Sequence, residues 1–374
     1  MGSLQNPSIP IVNLSAFTRD STSYERKQAA AKLSQCCRLN GFVGITGHGM
    51  PTDLLDKVFA MSKRLFDLPL EEKLKAPHPE GWTPHRGYSG IGRENGGAKG
   101  ALDAGDQAKM DPDDVSGLNM MTMKQESYEV GSEYNKEDYN IWLPEEVLPG
   151  FRDLSLEIYW RVNEIAVAVL DALIMSLELN VEEADYVRKI HTGHANQLRL
   201  LHYPPMPRDA FKAEEHSRLG AHTDGRYDYH PSITEMPSYS LSEPLLTTVR
   251  LNSTFTFDFQ DANQGLEFLD RQTGKFVEAR PKNGVMYMNI GDMLMRLSNG
   301  CYPAGTHRVI IPVASRTPRY SIPYFVSVDP DAVVAPQASC VGPGDRPRYE
   351  PITFRDFRDE LFKATQVRDN DQVS

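Results

Sequence analysis

The chain is poor in the features that mark secreted, membrane-embedded or nucleic-acid-binding proteins. Its 374 residues include only four cysteines, Cys36, Cys37, Cys301 and Cys340, and no Cys-x-x-Cys pair. That excludes a disulfide framework and a zinc ribbon, and it fits a reducing compartment. No apolar run is long enough to cross a bilayer. The first residues lack a charged segment followed by an apolar stretch, so no secretory signal is expected. Asn6 stands where N-myristoylation of Gly2 would need Ser or Thr. A surplus of positive charge is missing too: 40 Lys and Arg face 51 Asp and Glu, a formal charge of −11. Neither nucleic acid nor an anionic membrane is then an expected partner. Gly96-Gly97-Ala98-Lys99-Gly100 is no phosphate loop, because the glycine spacing and the Lys-Ser/Thr pair are absent. These absences leave the expectation of a cytoplasmic protein; a monomer is expected as well.

What is present divides the chain by pattern. Ile9–Leu14 reads as an edge strand, Asp20–Leu39 as a capped helix, Phe42–Ile45 as a strand and Pro51–Asp67 as an amphipathic helix. Residues 76–87 read as loop, with His78 and His85 facing solvent and His48 structural; 93–118 reads as a mobile surface loop. Between Gly150 and Glu178 apolar residues recur every three or four positions from Phe151 to Leu177, which predicts a long helix packed on a sheet. After residue 195 short strands alternate with Gly/Pro/Asn turns, and Phe354–Ala364 closes the chain as a helix. Helices followed by many short strands imply an α+β fold with a double-stranded β-helix (jelly-roll) core, flanking N-terminal helices and a C-terminal helix. The expected division is an N-terminal helical and strand region, 1–150, packing on a core at 151–365, with 366–374 frayed.

The chemistry concentrates in two pairs of residues spaced two apart. In Gly220-Ala221-His222-Thr223-Asp224 an extended backbone points His222 and Asp224 to one face. An imidazole and a carboxylate side by side are half of a divalent-metal site. The best third ligand is His307 in Gly305-Thr306-His307-Arg308. Further on, Arg319-Tyr320-Ser321 places a guanidinium beside a hydroxyl, a receptor for a carboxylate, to which Tyr203 could add a hydrogen bond. His202 alternates with Tyr203 and faces the other way; Asp228 and His230, close to the metal strand in sequence, are not expected to be ligands.

These stretches, in order, resemble the iron(II)/2-oxoglutarate-dependent dioxygenases of the isopenicillin N synthase-like group. The resemblance runs from Ile9–Leu14 and Gly41-Phe42 to His48-Gly49. It continues through Tyr203-Pro204-Pro205, His222-Thr223-Asp224, Asn289-Ile290-Gly291-Asp292, Thr306-His307-Arg308-Val309 and Arg319-Tyr320-Ser321-Ile322-Pro323. It implies that His222, Asp224 and His307 hold Fe(II), and that Arg319, Ser321 and Tyr203 hold the far carboxylate of 2-oxoglutarate. It also implies that O2 completes the reaction, with succinate and CO2 released and a small metabolite of secondary metabolism hydroxylated or desaturated. Strand position alone nominates Arg199, Phe255, Phe257, Leu266 and Phe325 as substrate contacts. Three other readings stand beside this one: an oxidase of the same architecture that needs no 2-oxoglutarate, a non-catalytic binding barrel, and a zinc hydrolase.

The sequence departs from the group in one place. His222 and His307 lie 85 positions apart, because about Tyr227–Ser253, rich in Ser, Thr and Pro, intervenes before Thr254-Phe255-Thr256-Phe257. This insert reads as a plain loop, a lid or a translated intron.

Overall fold

The computed structural model describes residues 9–79, 85–91, 95–96, 121–122, 125–205, 217–224, 253–310 and 317–360. Most of the insert, including Asp228 and His230, nearly all of the 93–118 segment and the tail expected at 366–374 lie outside the described residues. In chain order the strands are β1 (Ile11–Asn13), β2 (Phe42–Thr46), β3 (Gly87–Ser89), β4 (Asn95–Gly96), β5 (Met121–Thr122), β6 (Glu126–Gly131) and β7 (Gln197–Tyr203). They continue as β8 (Ser217–His222), β9 (Phe255–Gln260), β10 (Leu266–Asp270), β11 (Lys275–Glu278), β12 (Met286–Ile290), β13 (His307–Ile310) and β14 (Arg319–Val326).

Two sheets form the jelly roll. The larger runs β1-β2-β12-β9-β14-β7-β6-β3, and the smaller β11-β10-β13-β8. Strands from the first 150 residues are thus hydrogen-bonded into the same sheet as β9, β12 and β14. β1 pairs parallel with β2 at the sheet edge.

Alternation along each strand decides which of two cores a side chain joins. On β14, Tyr320, Ile322, Tyr324 and Val326 join an outer core with Ile158, Val162, Ile165, Val169 and Leu173 of the helix Phe151–Ser176. That helix is buried along one stripe, as its period predicts. Between the sheets an inner core gathers Phe42, Leu201, Tyr203, Leu266, Phe268, Tyr287 and Val309. Arg319 and Ser321 alternate with the outer-core residues of β14 and so share this inner side.

The N-terminal helix Ser23–Asn40 begins with a full capping box, Thr22 accepting from the Glu25 amide and Glu25 from the Thr22 amide. It stops at Gly41, whose φ of 70° and whose closeness to the Pro303 carbonyl leave no space for a Cβ. The helix Thr52–Phe66 starts one residue after Pro51, so the proline is the cap and not the first helical residue. The 76–87 segment differs from its reading as solvent-facing loop. His78 and His85 are both buried, and their rings meet edge to face. A loop reading scores composition, whereas their burial comes from packing that sequence spacing does not encode.

His191 ties the helix Val181–Lys189 to β9. Its Nδ1 donates to the Val187 carbonyl at 2.7 Å, and its Nε2 accepts from Thr254 Oγ1 at 2.8 Å. Burial lowers its pKa from 6.5 to about 4. The folded state then holds it neutral where the unfolded chain protonates it. Stability is complete above pH 6.5 and falls as pH drops toward 4, by roughly 3 kcal/mol from this group. Urea unfolding across that range is expected to show a shallower acid limb in His191→Gln; identical limbs would remove His191 as its cause.

Candidate active site

β8 and β13 lie side by side and antiparallel, with His222 directly opposite His307. Their ring centroids are 4.2 Å apart. β8 ends at His222, so Asp224 sits just past the strand and not on it. Even so, its Oδ1 lies 4.0 Å from Nε2 of His222 and 3.7 Å from Nε2 of His307. The three potential ligand atoms fall within 4.8 Å of one another, and they form the one such group among the described residues.

The surroundings fix which atoms remain free. Asp224 Oδ2 accepts from Thr256 Oγ1 at 2.6 Å and from Asn289 Nδ2 at 2.6 Å. His307 Nδ1 faces the Gly305 carbonyl at 3.1 Å, which makes Nδ1 the donor and leaves Nε2 with its lone pair. Two imidazole nitrogens and one carboxylate oxygen therefore converge. This donor set suits a divalent cation such as Fe(II), and its outer partners are already in place.

Arg319 is almost wholly enclosed, at 1% exposure. Its Nη1 donates to Ser321 Oγ at 3.0 Å and its Nη2 to Gln260 Oε1 at 2.9 Å, with Asp258 Oδ2 3.8 Å away. The guanidinium carbon lies 5.2 Å from the centre of the Tyr203 ring. β14 places Arg319 opposite Tyr203 and Ser321 opposite Gln260, which is why these groups meet. A buried guanidinium beside a hydroxyl suits a carboxylate.

The nominated substrate residues separate. Phe255 and Phe257 are fully buried in the outer core, on the helix side of β9. That corrects their nomination: the inward side chains of β9 are their alternates Thr256, Asp258 and Gln260. Leu266 lies in the inner core. Phe325 shares the inner side of β14 with Arg319 and pairs with Gln197 and Thr256. Arg199 is on the inner side of β7, ion-paired to Glu129 Oε1 at 2.8 Å and bonded to Ser127 Oγ at 3.2 Å. His202 does face the other way, onto Glu126, Tyr320 and Phe66.

Comparison with known proteins agrees with this geometry. A family model described as non-haem dioxygenase in morphine synthesis N-terminal matches residues 9–145, and one for the 2OG-Fe(II) oxygenase superfamily matches 240–328. The 2-oxoglutarate-Fe(II) type oxidoreductase hxnY of Emericella nidulans is 30% identical over 362 residues, 96% of this chain and 90% of that protein. The chain belongs to the 2OG-Fe(II) oxygenase superfamily. The 2-oxoglutarate-dependent dioxygenase htyE of Aspergillus rugulosus is 28% identical over 88% of this chain and 91% of its own length. In fold, the chain superposes on a full-length Neurospora crassa protein crystallised in complex with alpha-KG and thymine. The TM-score is 0.71, at 24% identity, over 97% of this chain and 99% of that one. This oxygenase accordingly uses Fe(II), 2-oxoglutarate and O2 to oxidise a small molecule. No helix among its described residues is long and apolar enough to cross a membrane.

Sequence reasoning missed the residues that surround His222, Asp224 and His307 and the Arg319 guanidinium. Thr256, Asp258 and Gln260 were legible in principle: Phe-Thr-Phe-Asp-Phe-Gln alternates aromatic and polar, and the polar set marks the inner face. Asn289 lay inside a stretch that carried the resemblance without a role of its own.

Proposed function

We propose that His222, Asp224 and His307 hold the Fe(II), and that Arg319 and Ser321 receive the distal carboxylate of 2-oxoglutarate above the Tyr203 ring. The supporting observation is the division of Asp224. Thr256 and Asn289 occupy Oδ2, while Oδ1 turns to the two imidazoles. A carboxylate held in this way presents one oxygen in a fixed direction.

When bound, the metal supplies oxygen activation coupled to decarboxylation of the keto acid. The protein's own part is positioning. β8 and β13 hold the imidazoles, and Gly305 fixes the His307 tautomer. Arg319 orients the co-substrate by a contact remote from the reacting end. Phe325, Arg199 and Leu266 are the nominated substrate contacts that remain on the inner side. The inward aromatic ring of Phe325 supports a small, partly apolar metabolite, hydroxylated or desaturated in secondary metabolism. Free thiols at Cys36, Cys37, Cys301 and Cys340 support a cytoplasmic setting.

The test is succinate release by the Fe(II)-loaded enzyme across a panel of small metabolites, with thymine included because the Neurospora crassa structure contains it. The expected result is one or more compounds that raise succinate formation and return oxidised by one oxygen or two hydrogens. Succinate formation indifferent to every panel member, including those that bind, would remove this substrate class.

A further inference from the structure

Asp258 sets a second carboxylate beside the guanidinium. It stands on the inner side of β9, opposite Tyr287 on β12 and Pro323 on β14. Its Oδ2 is 3.8 Å from Arg319 Nη2, the nitrogen that also donates to Gln260. The cation thus has a counter-charge before any ligand arrives. A 2-oxoglutarate dianion brings another carboxylate to the same guanidinium. Two carboxylates sharing one buried cation repel, and the less solvated one is pushed toward its neutral acid.

The neighbouring charges favour Asp258 as the one that yields. Arg319 is the cation the described residues place against it; Asp261 and Asp224 add negative potential. Tyr287, across on β12, donates its hydroxyl to the Arg280 carbonyl at 2.6 Å, and Tyr203 lies under Arg319 with its ring. Burial already pushes Asp258 up from 3.8 to about 7, against the opposing pull of Arg319. A metal ion at Asp224 offsets part of that potential and moves the onset to lower pH; it leaves the like-charge conflict with the co-substrate in place.

We propose that Asp258 makes 2-oxoglutarate binding proton-coupled: the distal carboxylate takes over Arg319, and Asp258 accepts one proton from solvent as it does so. The inference rests on Arg319 being the co-substrate anchor. The balance is simple. One carboxylate and one proton become one carboxylic acid, and the co-substrate stays a dianion. The binding-competent form is the protonated one, so affinity falls as pH rises through the range where free Asp258 ionises. The limiting slope is about tenfold in Kd per pH unit.

The experiment is anaerobic calorimetry of 2-oxoglutarate binding to the full-length, Fe(II)-loaded protein between pH 7.0 and about 8.5. Two buffers of different ionisation heat, phosphate and Tris, report proton uptake. Wild type is expected to take up close to one proton per ligand at the upper end, with Kd rising across the range. Asp258→Asn is expected to take up none, to show a flat Kd, and to bind about tenfold or more tighter than wild type at the highest pH. Asp258→Leu repeats the measurement without a hydrogen-bonding group and should behave alike. No uptake by wild type, or wild-type uptake retained in both variants, overturns the proposal. Arg319→Met separates the two readings. Unchanged affinity in that variant sinks the anchor itself, whereas lost affinity alongside proton-free wild-type binding sinks only the role of Asp258.

Discussion

Asp224→Ala is expected to lose bound iron and to reduce 2-oxoglutarate turnover by on the order of a thousandfold or more. Replacing only an outer partner of a metal ligand costs about 10–100-fold in affinity or activity. Asp224 is the sole charged group of the proposed triad, so its loss should exceed that range. The substitution also strands one buried donor, Asn289 Nδ2, and leaves Thr256 Oγ1 with Ser253 Oγ as its remaining partner. A stranded donor costs about 1–3 kcal/mol, so thermal stability should fall along with activity. Asn289→Ala supplies the scale, because it removes one outer bond and keeps all three ligands. Metal content after gel filtration, read beside succinate release, distinguishes the cases. An Asp224→Ala protein that folds, keeps iron stoichiometrically and turns over normally would place the metal elsewhere.

Arg319→Met is expected to raise the KM for 2-oxoglutarate about a hundredfold while leaving kcat at saturating co-substrate within a fewfold of wild type. Loss of one partner from a buried, hydrogen-bonded charge pair costs about 2–5 kcal/mol, which spans that factor. The contact is remote from the keto end, so it contributes equally in ground and transition states and appears in KM. Arg319→Lys should fall between the two. An ammonium keeps the charge but loses the planar fork that reaches Ser321 and Gln260 together. Initial rates against 2-oxoglutarate concentration measure both values. A KM unmoved by either change would reassign the carboxylate receptor.

The jelly roll and the pairs His222/Asp224 and Arg319/Ser321 were legible in the sequence because each rests on a short-range rule, whereas His307, 85 positions from His222, was nominated through the resemblance. Strand alternation and turn residues gave the strands, and the two motifs spaced by two gave the polar pairs. Facing was harder. Phe255 and Phe257 look like pocket aromatics, yet their parity on β9 sends them to the helix side. Only the identity of the inner residues, Thr256, Asp258 and Gln260, would have revealed it. β6 went unread because Glu126-Ser127-Tyr128-Glu129 looks like surface. Its acids are neutralised by distant partners: Lys73, Tyr88 and His202 bond to Glu126, and Arg199 pairs with Glu129. Compensation by partners 38 to 76 residues away leaves no local signature. The burial of His78 and His85 escaped for the same reason.

β9 and β14 each give alternate residues to the outer core and to a largely polar inner face. Selection can therefore act on the odd and even positions of a single strand as though they belonged to different proteins. Drift among Arg319, Ser321 and Phe325, or among Thr256, Asp258 and Gln260, changes only the inner face, where the proposed site lies. Tyr320, Ile322 and Tyr324 meanwhile keep the scaffold on its helix. A lineage built on such strands can change its chemistry one side chain at a time without renegotiating its architecture.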